Sequence, residues 1–254
     1  MDTAERDIYA AICRADGIKA REIASQLDME RTVVNRYLYI SPYMRELCYR
    51  DRDYRWHGLI CQKRPHRGLG DFSGYYSTVG EFLETDEKQW FDNLLSGCRK
   101  NGRNLNDTRG LFHSFRDTGT TMRSFFHDLI FFAADTIWAK MKNWEIVFEL
   151  RIKKAKYIRI YADVLVITDR YVFSLEFKMK DKIEREEVSQ AAKYCSYLEI
   201  IFGPGYDIIP VLVLTKARDL YQYEPMAGST AEVPVCSGDM LFNVVDEYMG
   251  LLEE

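Results

Sequence analysis

The sequence contains no apolar run that approaches the roughly 20 residues needed to cross a bilayer. Its N-terminus, MDTAERDIYA, has no basic start followed by an apolar stretch, so neither a membrane span nor a secretion signal is expected. The six cysteines are scattered without a CxxC pair, which argues against a zinc knuckle or a disulfide framework. We therefore expect a soluble protein of the reducing cytosol.

Basic residues are missing from the C-terminal end and concentrated elsewhere. No Lys or Arg follows Arg218, whereas eight Asp and Glu do. Between Glu30 and Arg67, nine Lys and Arg stand against four acids, although the whole chain carries a net charge of −4. Residues 151–159 hold five further Lys and Arg and no acid. This segregation suits a nucleic-acid partner, although a solvated face explains the 151–159 run equally well.

Residues 1–60 alternate short helical patterns with turns. Apolar spacing predicts two short helices and then a third, at about residues 30–40, which Asp28 could cap. The third helix turns four residues towards a core: Val33, Val34, Tyr37 and Leu38. A small basic hairpin is predicted at about residues 47–56.

Three helices followed by a hairpin resemble the winged helix-turn-helix family, with GIKAREIASQLDMERTVVNRYL as the two-helix core. In that family the third helix enters the major groove and the hairpin touches the DNA backbone. The resemblance implies DNA contacts from Arg31, Thr32, Asn35 and Arg36 on the helix and from Arg50, Arg52 and Arg55 on the hairpin. A protein-interaction or dimerisation module is the alternative, because many winged helices bind no DNA.

The rest of the chain divides into a turn-rich stretch and a second domain. Residues 65–120 predict a linker with a small helical insert and no chemistry. Domain boundaries are therefore expected at 1–64, 65–120 and 121–254. Within the last segment the predicted elements are a helix at 121–142, strands at 144–152, 157–168 and 171–178, a helix at 183–202, a strand at 207–215 and a closing helix at 241–252.

Asp163, Glu176 and Lys178 lie in or at the end of apolar runs that read as buried strands. Charges persist near a core only if they are paired, hydrated or bound to a metal. Residues two apart in a strand share a face, and a tight turn at Asp169-Arg170 would bring Asp163 alongside. Two carboxylates beside an ammonium group suit a divalent cation and a phosphate in an open groove. An ordinary ion pair at a strand end is the alternative.

One helix later, Gln190 and Tyr194 stand four residues apart and share a helix face. The pattern D…ExK…QxxxY resembles the PD-(D/E)XK nuclease superfamily, in particular its RecB-like branch. The resemblance implies an α/β (α+β) fold, with a restriction-endonuclease-like mixed sheet flanked by helices and preceded here by the winged helix-turn-helix domain.

The same resemblance implies a site chemistry. Mg²⁺ or Mn²⁺ would be held by Asp163, Glu176 and the carbonyl of Phe177. Lys178 would orient a water molecule or steady the transition state, while Gln190 and Tyr194 would contact backbone phosphates. The family often adds an acid from the first helix or strand. Glu149 is favoured as that further metal ligand because its strand offers a free polar face, and the alternatives are Glu145, Asp128, Asp135 and His127.

The expected function is a divalent-metal-dependent nuclease that hydrolyses phosphodiester bonds of DNA, with the winged helix recruiting or orienting the nucleic acid. By analogy alone, such a protein suits prokaryotic defence. An RNA nuclease is an alternative because the metal chemistry ignores the sugar, and a non-catalytic DNA-binding regulator is another. No membrane partner is expected, whereas a homodimer or a protein partner is compatible with the sequence. The acidic end, residues 237–254, would pack on the sheet or shield the cleft.

Overall fold

The computed structural model describes residues 3–15, 17–51, 53–58, 67–105, 108–132, 137–154, 159–203, 205–226 and 231–251. Runs of helices and runs of strands follow one another along these ranges. The helices are α1 (Thr3–Arg14), α2 (Ala20–Gln26), α3 (Arg31–Ile40), α4 (Pro42–Leu47), α5 (Val79–Glu84), α6 (Glu87–Lys100), α7 (Thr108–Phe132), α8 (Ile137–Met141), α9 (Arg185–Phe202) and α10 (Leu241–Met249). The strands are β1 (Cys48–Arg50), β2 (Trp56–Gly58), β3 (Tyr75–Thr78), β4 (Glu145–Lys154), β5 (Arg159–Ile167), β6 (Tyr171–Lys178), β7 (Asp207–Leu214), β8 (Tyr221–Pro225) and β9 (Glu232–Ser237).

Seven of the described strands form one mixed sheet in the order β3-β4-β5-β6-β7-β9-β8. Neighbouring strands from β3 to β6 are antiparallel, β6, β7 and β9 are mutually parallel, and β8 returns antiparallel to β9. The parallel step from β6 to β7 requires a crossover, and α9 supplies it. The chain is therefore an α/β protein with a seven-stranded mixed sheet flanked by helices, as the sequence predicts at this coarse level.

Helices cover both faces of the sheet. Apolar residues of α5, α6, α7 and α10 join one face of the sheet in a single core, which includes Phe82, Trp90, Phe126 and Val244. The opposite face packs against α9 through two further clusters. Since the central strands are buried on both faces, their sequences read as near-continuous apolar runs.

The N-terminal unit consists of α1–α4 and the hairpin of β1 and β2. Its core gathers Ile8, Ile12, Val34, Leu38 and Trp56, and the same cluster includes Ile200 of α9. Beside that contact, Arg6 and Glu199 form an ion pair at 2.9 Å. The N-terminal unit thus packs on the side of α9 that faces away from the sheet.

Several sequence expectations need correction. The described part of residues 65–120 is not a linker, because β3 pairs with β4 and the side chains of α6 fill the main core. The long helix begins at Thr108 rather than near residue 121, since apolar residues such as Phe115 already bury one side of a stretch rich in polar residues. Asp28 does not cap α3; it adopts a left-handed φ of +50° after α2, and Glu30 precedes the helix.

Other expectations hold. Strand β6 spans the predicted residues, and the order of helix, three strands, helix and strand is confirmed. Closing helix α10 buries Leu241, Val244 and Val245 in the main core, which agrees with packing on the sheet rather than with a mobile shield.

In the described part of the chain, the helices are too short or too polar to traverse a bilayer. Free thiols occur at Cys48, Cys98, Cys195 and Cys236. Cys13 is disulfide-bonded, a link that the cysteine spacing does not indicate.

Candidate active site

Three carboxylates occupy one level of three adjacent strands. Val164 of β5 pairs with the residue before Glu149 on β4 and with the residue before Glu176 on β6. Because both strand pairs are antiparallel, Asp163 lies opposite both glutamates. The predicted approach of Asp163 to Glu176 is therefore borne out by the register of the sheet.

Asp163 is fixed by the neighbouring strand. The backbone N–H of Phe177 donates to Asp163 Oδ2 at 2.9 Å, which leaves the other carboxylate oxygen for a further partner. Part of the Asp163 side chain remains exposed to a cavity beside the sheet. This is the arrangement expected of a carboxylate that is held in one orientation and still accessible.

Glu176 is bonded on one oxygen and unpartnered on the other. Its Oε1 accepts from Lys178 Nζ at 2.9 Å and from Gln190 Nε2 at 2.6 Å. Its Oε2 is buried without a hydrogen-bond partner in the described part of the chain. The residue is only 2% exposed, so the expectation of two carboxylates in an open groove is wrong for Glu176.

Gln190 and Tyr194 point towards the strand rather than outward. Val188, Ala191 and Ala192 of α9 pack against the sheet, and this orients the helix so that Gln190 reaches Glu176. The same amide nitrogen of Gln190 donates to the Tyr194 hydroxyl at 2.7 Å. The two residues thus form a chain of hydrogen bonds that positions Glu176. The phosphate contacts that the resemblance implies for them stay a prediction.

Glu149 is held by an arginine that lies in the stretch expected to be a chemically inert linker. Arg103 Nε lies 3.0 Å from Glu149 Oε2, and its guanidinium also lies 4.4 Å from the centre of the Tyr161 ring. Glu149 has φ of +55°, and Gly74 of the neighbouring segment approaches it closely enough that a methyl group there would crowd Glu149 Cβ at 3.1 Å. Sequence patterns give no signal for Arg103, because only the tertiary fold brings it to β4.

A cavity of about 180 Å³ adjoins this level of the sheet. The strands contribute Glu149, Asp163, Phe177 and Lys178 to its wall. The helical side contributes Ser114 and Thr118, Arg103 and a set of apolar residues: Leu94, Leu111 and Phe115. Glu176 lies behind this wall.

The pKa values of the three carboxyl groups are raised above their ordinary values. Burial, together with the negative charge of Asp163, raises the pKa of Glu149 to about 8 and that of Glu176 to about 8. Burial also raises the pKa of Asp163. Burial by itself would lower the pKa of Lys178, but the neighbouring Glu176 and Asp163 raise it, so this ammonium group stays charged. An excess of negative charge in a confined space is what a bound cation would relieve.

The alternatives to Glu149 as a further metal ligand lie away from Asp163 or outside the described residues. Glu145 is buried four residues along β4 and accepts from the Tyr76 hydroxyl at 3.0 Å. His127 is exposed on α7. Burial raises the pKa of the neighbouring Asp128, which has Asp239 nearby, and Asp135 falls outside the described residues. Among the candidates that the structure describes, only Glu149 lies at the level of Asp163.

The predicted DNA-contacting residues lie on α3 and the hairpin of the N-terminal unit. Arg31, Thr32 and Arg36 are exposed and Asn35 is half-buried. Arg50 stacks with two tyrosine rings, and Arg55 donates to the carbonyl of Gly17 at 2.9 Å. Arg52 lies outside the described residues. Arg31 and Arg36 therefore present exposed guanidinium groups on α3, whereas the Thr32 hydroxyl is bonded to Glu30 and Arg55 to the main chain of Gly17.

The donor set at the sheet suits a hard cation, although the site is not preassembled. In the described ranges no three Asp, Glu, His or Cys side chains are gathered as a metal-binding group. Asp163 and Glu176 nevertheless each offer a carboxylate oxygen that lacks a described hydrogen bond, beside the main chain of Phe177. Oxygen donors of this kind are those that Mg²⁺ and Mn²⁺ prefer. The chain matches no protein-family model and no curated protein, so the interpretation of this site rests on its residues and geometry.

Proposed function

We propose that this protein is a divalent-metal-dependent nuclease of the PD-(D/E)XK type, with a restriction-endonuclease-like domain and an N-terminal winged helix that binds DNA. The observation that carries the proposal is the meeting of Asp163, Glu176 and Lys178 on neighbouring strands, with a buried Glu176 oxygen that lacks a hydrogen-bond partner in the described part of the chain. A purely structural ion pair between Lys178 and Glu176 does not account for Asp163, a second acid that lies beside them and faces the cavity.

Asp163, Glu176 and the main-chain carbonyl of Phe177 are the residues that would hold Mg²⁺ or Mn²⁺. When bound, such an ion lowers the pKa of a water molecule and neutralises charge on the phosphate. Lys178 lines the cavity with a charged ammonium group, from which it can donate to a phosphate oxygen. Gln190 and Tyr194 keep Glu176 in its orientation through their hydrogen bonds.

The N-terminal unit supports the nucleic-acid part of the proposal. A helix with exposed Arg31 and Arg36, followed by a short helix and a hairpin, matches the element order of winged helix-turn-helix domains. An isolated bridge between Ile18 and Trp56 adds a third segment to the hairpin sheet. Basic groups on these elements suit contacts with a phosphate backbone.

The test is a cleavage panel. Plasmid, single-stranded DNA and RNA are incubated with the full chain in Mg²⁺, in Mn²⁺ and in EDTA. We expect cleavage that EDTA abolishes and that Asp163→Asn lowers by at least about a hundredfold, since even the loss of a residue that only supports a metal ligand costs 10–100-fold. Asp207→Asn is the matched control, because this exposed aspartate lies at the opposite end of the parallel pair formed by β6 and β7.

Cleavage that persists in EDTA or in Asp163→Asn would refute the proposal. The burial of Glu176 favours one rival, a DNA-binding regulator with an inactive nuclease-like domain. That rival predicts no cleavage on any substrate and no calorimetric Mn²⁺ binding that depends on Asp163. Cleavage confined to RNA would retain the metal site and change the substrate.

A further inference from the structure

Exposed aromatic side chains are concentrated on the N-terminal unit. Half of the large hydrophobic residues that the described chain exposes lie between residues 39 and 54: Tyr39, Ile40, Tyr43, Tyr49 and Tyr54. Tyr54 is 66% exposed at the turn of the hairpin. Core packing does not explain a group of exposed tyrosines, and exposed apolar patches of this kind often mark a binding surface.

Two of these tyrosines form a compact group with Arg50, which we name the Tyr39–Arg50–Tyr54 cluster. The Arg50 guanidinium carbon lies 5.6 Å from the centre of the Tyr39 ring and 4.8 Å from that of Tyr54. Arg50 also donates to the Tyr39 hydroxyl at 2.5 Å. The cluster thus joins the C-terminal end of α3 to the hairpin, with two aromatic rings and a cation on one exposed surface.

Backbone strain marks the same place. Tyr54 adopts φ of +62°, a left-handed conformation that Gly, Asn and Asp adopt far more readily than an aromatic residue. Burial does not stabilise it there, since most of its ring is exposed. A strained and exposed tyrosine is a reason to look for a function of its ring.

The charge around the cluster is positive. Between residues 31 and 58 the sequence holds six arginines and three acids. Arg36 is exposed three residues before Tyr39, on the same face of α3. The hairpin also carries two described acids. Asp53 is exposed beside Tyr54, whereas Asp51 is engaged by His57 at 2.9 Å and by backbone N–H groups of the hairpin, and these bonds lower its pKa.

We propose that the Tyr39–Arg50–Tyr54 cluster binds single-stranded DNA, with the tyrosine rings stacking on unpaired bases and Arg36 and Arg50 contacting the flanking phosphates. Aromatic side chains beside a basic surface recognise single strands in this way, because every base presents a stacking face that a duplex hides. The inference deepens the proposed nuclease function and relies on it for the choice of a nucleic acid as ligand. It names single-stranded or frayed DNA as the substrate class.

The test is fluorescence anisotropy with the full chain in EDTA, where no metal-dependent cleavage occurs. The probes are a labelled 20-nucleotide single strand and the duplex of the same sequence, both at 150 mM NaCl. We expect the single strand to bind at least about fivefold more tightly, as one stacked base would provide. Equal or tighter binding of the duplex, or binding of neither probe, would overturn the inference.

Three variants separate a functional role of the ring from a structural one. Tyr54→Asn removes the ring and places a residue suited to positive φ, so the fold should be at least as stable while single-strand affinity falls about tenfold. Tyr54→Phe keeps the ring and should bind like the wild type. Phe131→Ala, at an 80% exposed position on α7, is the control and should leave binding unchanged. Wild-type affinity of Tyr54→Asn would refute the inference.

Failure of this inference can be told from failure of the proposed nuclease. Binding in EDTA does not require Asp163, so single-strand binding without cleavage would retain the cluster and reject the enzyme. Cleavage without a preference for the single strand would do the reverse.

Discussion

At the residue scale, Glu149 has two roles: its backbone changes the course of β4, and its side chain lines the candidate site. Its positive φ interrupts the regular alternation of β4: Phe148 packs with the core on the α7 side, whereas Leu150 packs with the core on the α9 side. The carboxylate can then meet Arg103 and line the cavity next to Asp163. A non-glycine residue in this conformation costs of order 1–3 kcal/mol, which is tolerable only where the surroundings fix it.

At the same scale, the raised pKa values predict how stability depends on pH. In the unfolded chain Glu149 and Glu176 ionise near their ordinary value of 4.5, whereas in the fold they hold their protons until about pH 8. The folded state therefore binds more protons across this window, and its stability falls as pH rises through it. We expect the melting temperature in EDTA to decrease from pH 5.5 to pH 8.

Differential scanning fluorimetry measures this effect. Glu176→Gln, which cannot ionise, is the companion variant and should flatten part of the slope. Because Mg²⁺ binds ionised carboxylates, about 10 mM MgCl₂ in place of EDTA should raise the melting temperature more at pH 8 than at pH 5.5. A melting temperature that increases with pH in EDTA would contradict the prediction.

The sequence predicts part of the site and misses the rest for physical reasons. Asp163, Glu176 and Lys178 are visible because charges inside apolar strands need partners, and the register of the sheet brings the two acids together. The inward orientation of Gln190 is not predictable from its i,i+4 spacing with Tyr194, which fixes a shared face but not what that face meets. Arg103 is separated from Glu149 by 46 residues, and no local pattern encodes that contact.

At the scale of elements, α6 lies against the edge of the sheet through backbone contact between glycines. A methyl group at Gly97 would lie 2.0 Å from the carbonyl oxygen of Gly74, at the point where that segment bonds to Phe148 and Glu149. The absence of side chains at these two positions lets the helix approach the strand that carries Glu149. The position of α6 and the position of Glu149 therefore depend on each other.

Gly97→Ala is expected to destabilise the protein by about 2 kcal/mol or more, because helix α6 must move away from the sheet. Gly110→Ala is the matched control, since nothing lies within 4 Å of its added methyl group in helix α7. That control should leave stability unchanged or raise it by up to about 1 kcal/mol, as alanine favours a helix over glycine. Urea denaturation compares the two, and equal effects would contradict this account of α6.

Elements with strong periodicity were the predictable ones. The apolar run of β6 and the long amphipathic pattern of α9 appear in the sequence with nearly their observed bounds. The sequence predicts a start for α7 near residue 121 rather than at Thr108, because residues 114–121, SFRDTGTT, contain a single large apolar residue and show no apolar stripe. The sequence gives no signal for strand β3, because the four residues Tyr75–Thr78 are too few to display alternation. They form a strand through their pairing with β4.

At the scale of the whole molecule, α9 belongs to two cores at once. Ile200 is buried in the core of the N-terminal unit and Ile201 in the core of the sheet, and both are 4% exposed. Adjacent residues on a helix point about 100° apart, so one helix can serve two partners. The N-terminal unit is therefore attached to the same helix that carries Gln190.

This arrangement predicts different consequences for two neighbouring substitutions. Ile200→Ala should loosen the N-terminal unit, and Ile201→Ala should loosen the sheet, each at a cost of about 2–4 kcal/mol. Amide hydrogen exchange distinguishes them: protection should fall first in α1 and α3 for Ile200→Ala and in β5 and β6 for Ile201→Ala. Identical protection patterns in the two variants would show that the cores unfold as one.

Helix α9 also fixes the distance between its contact with the N-terminal unit and its contact with the carboxylates. Gln190 and Ile200 are ten residues apart on α9, which corresponds to about 15 Å along the helix axis. If the hairpin binds a single strand as proposed, attachment of the N-terminal unit to α9 through Ile200 would hold that strand at a constant offset from the carboxylates. Digestion of an end-labelled oligonucleotide should then give fragments of narrowly defined length rather than a smear.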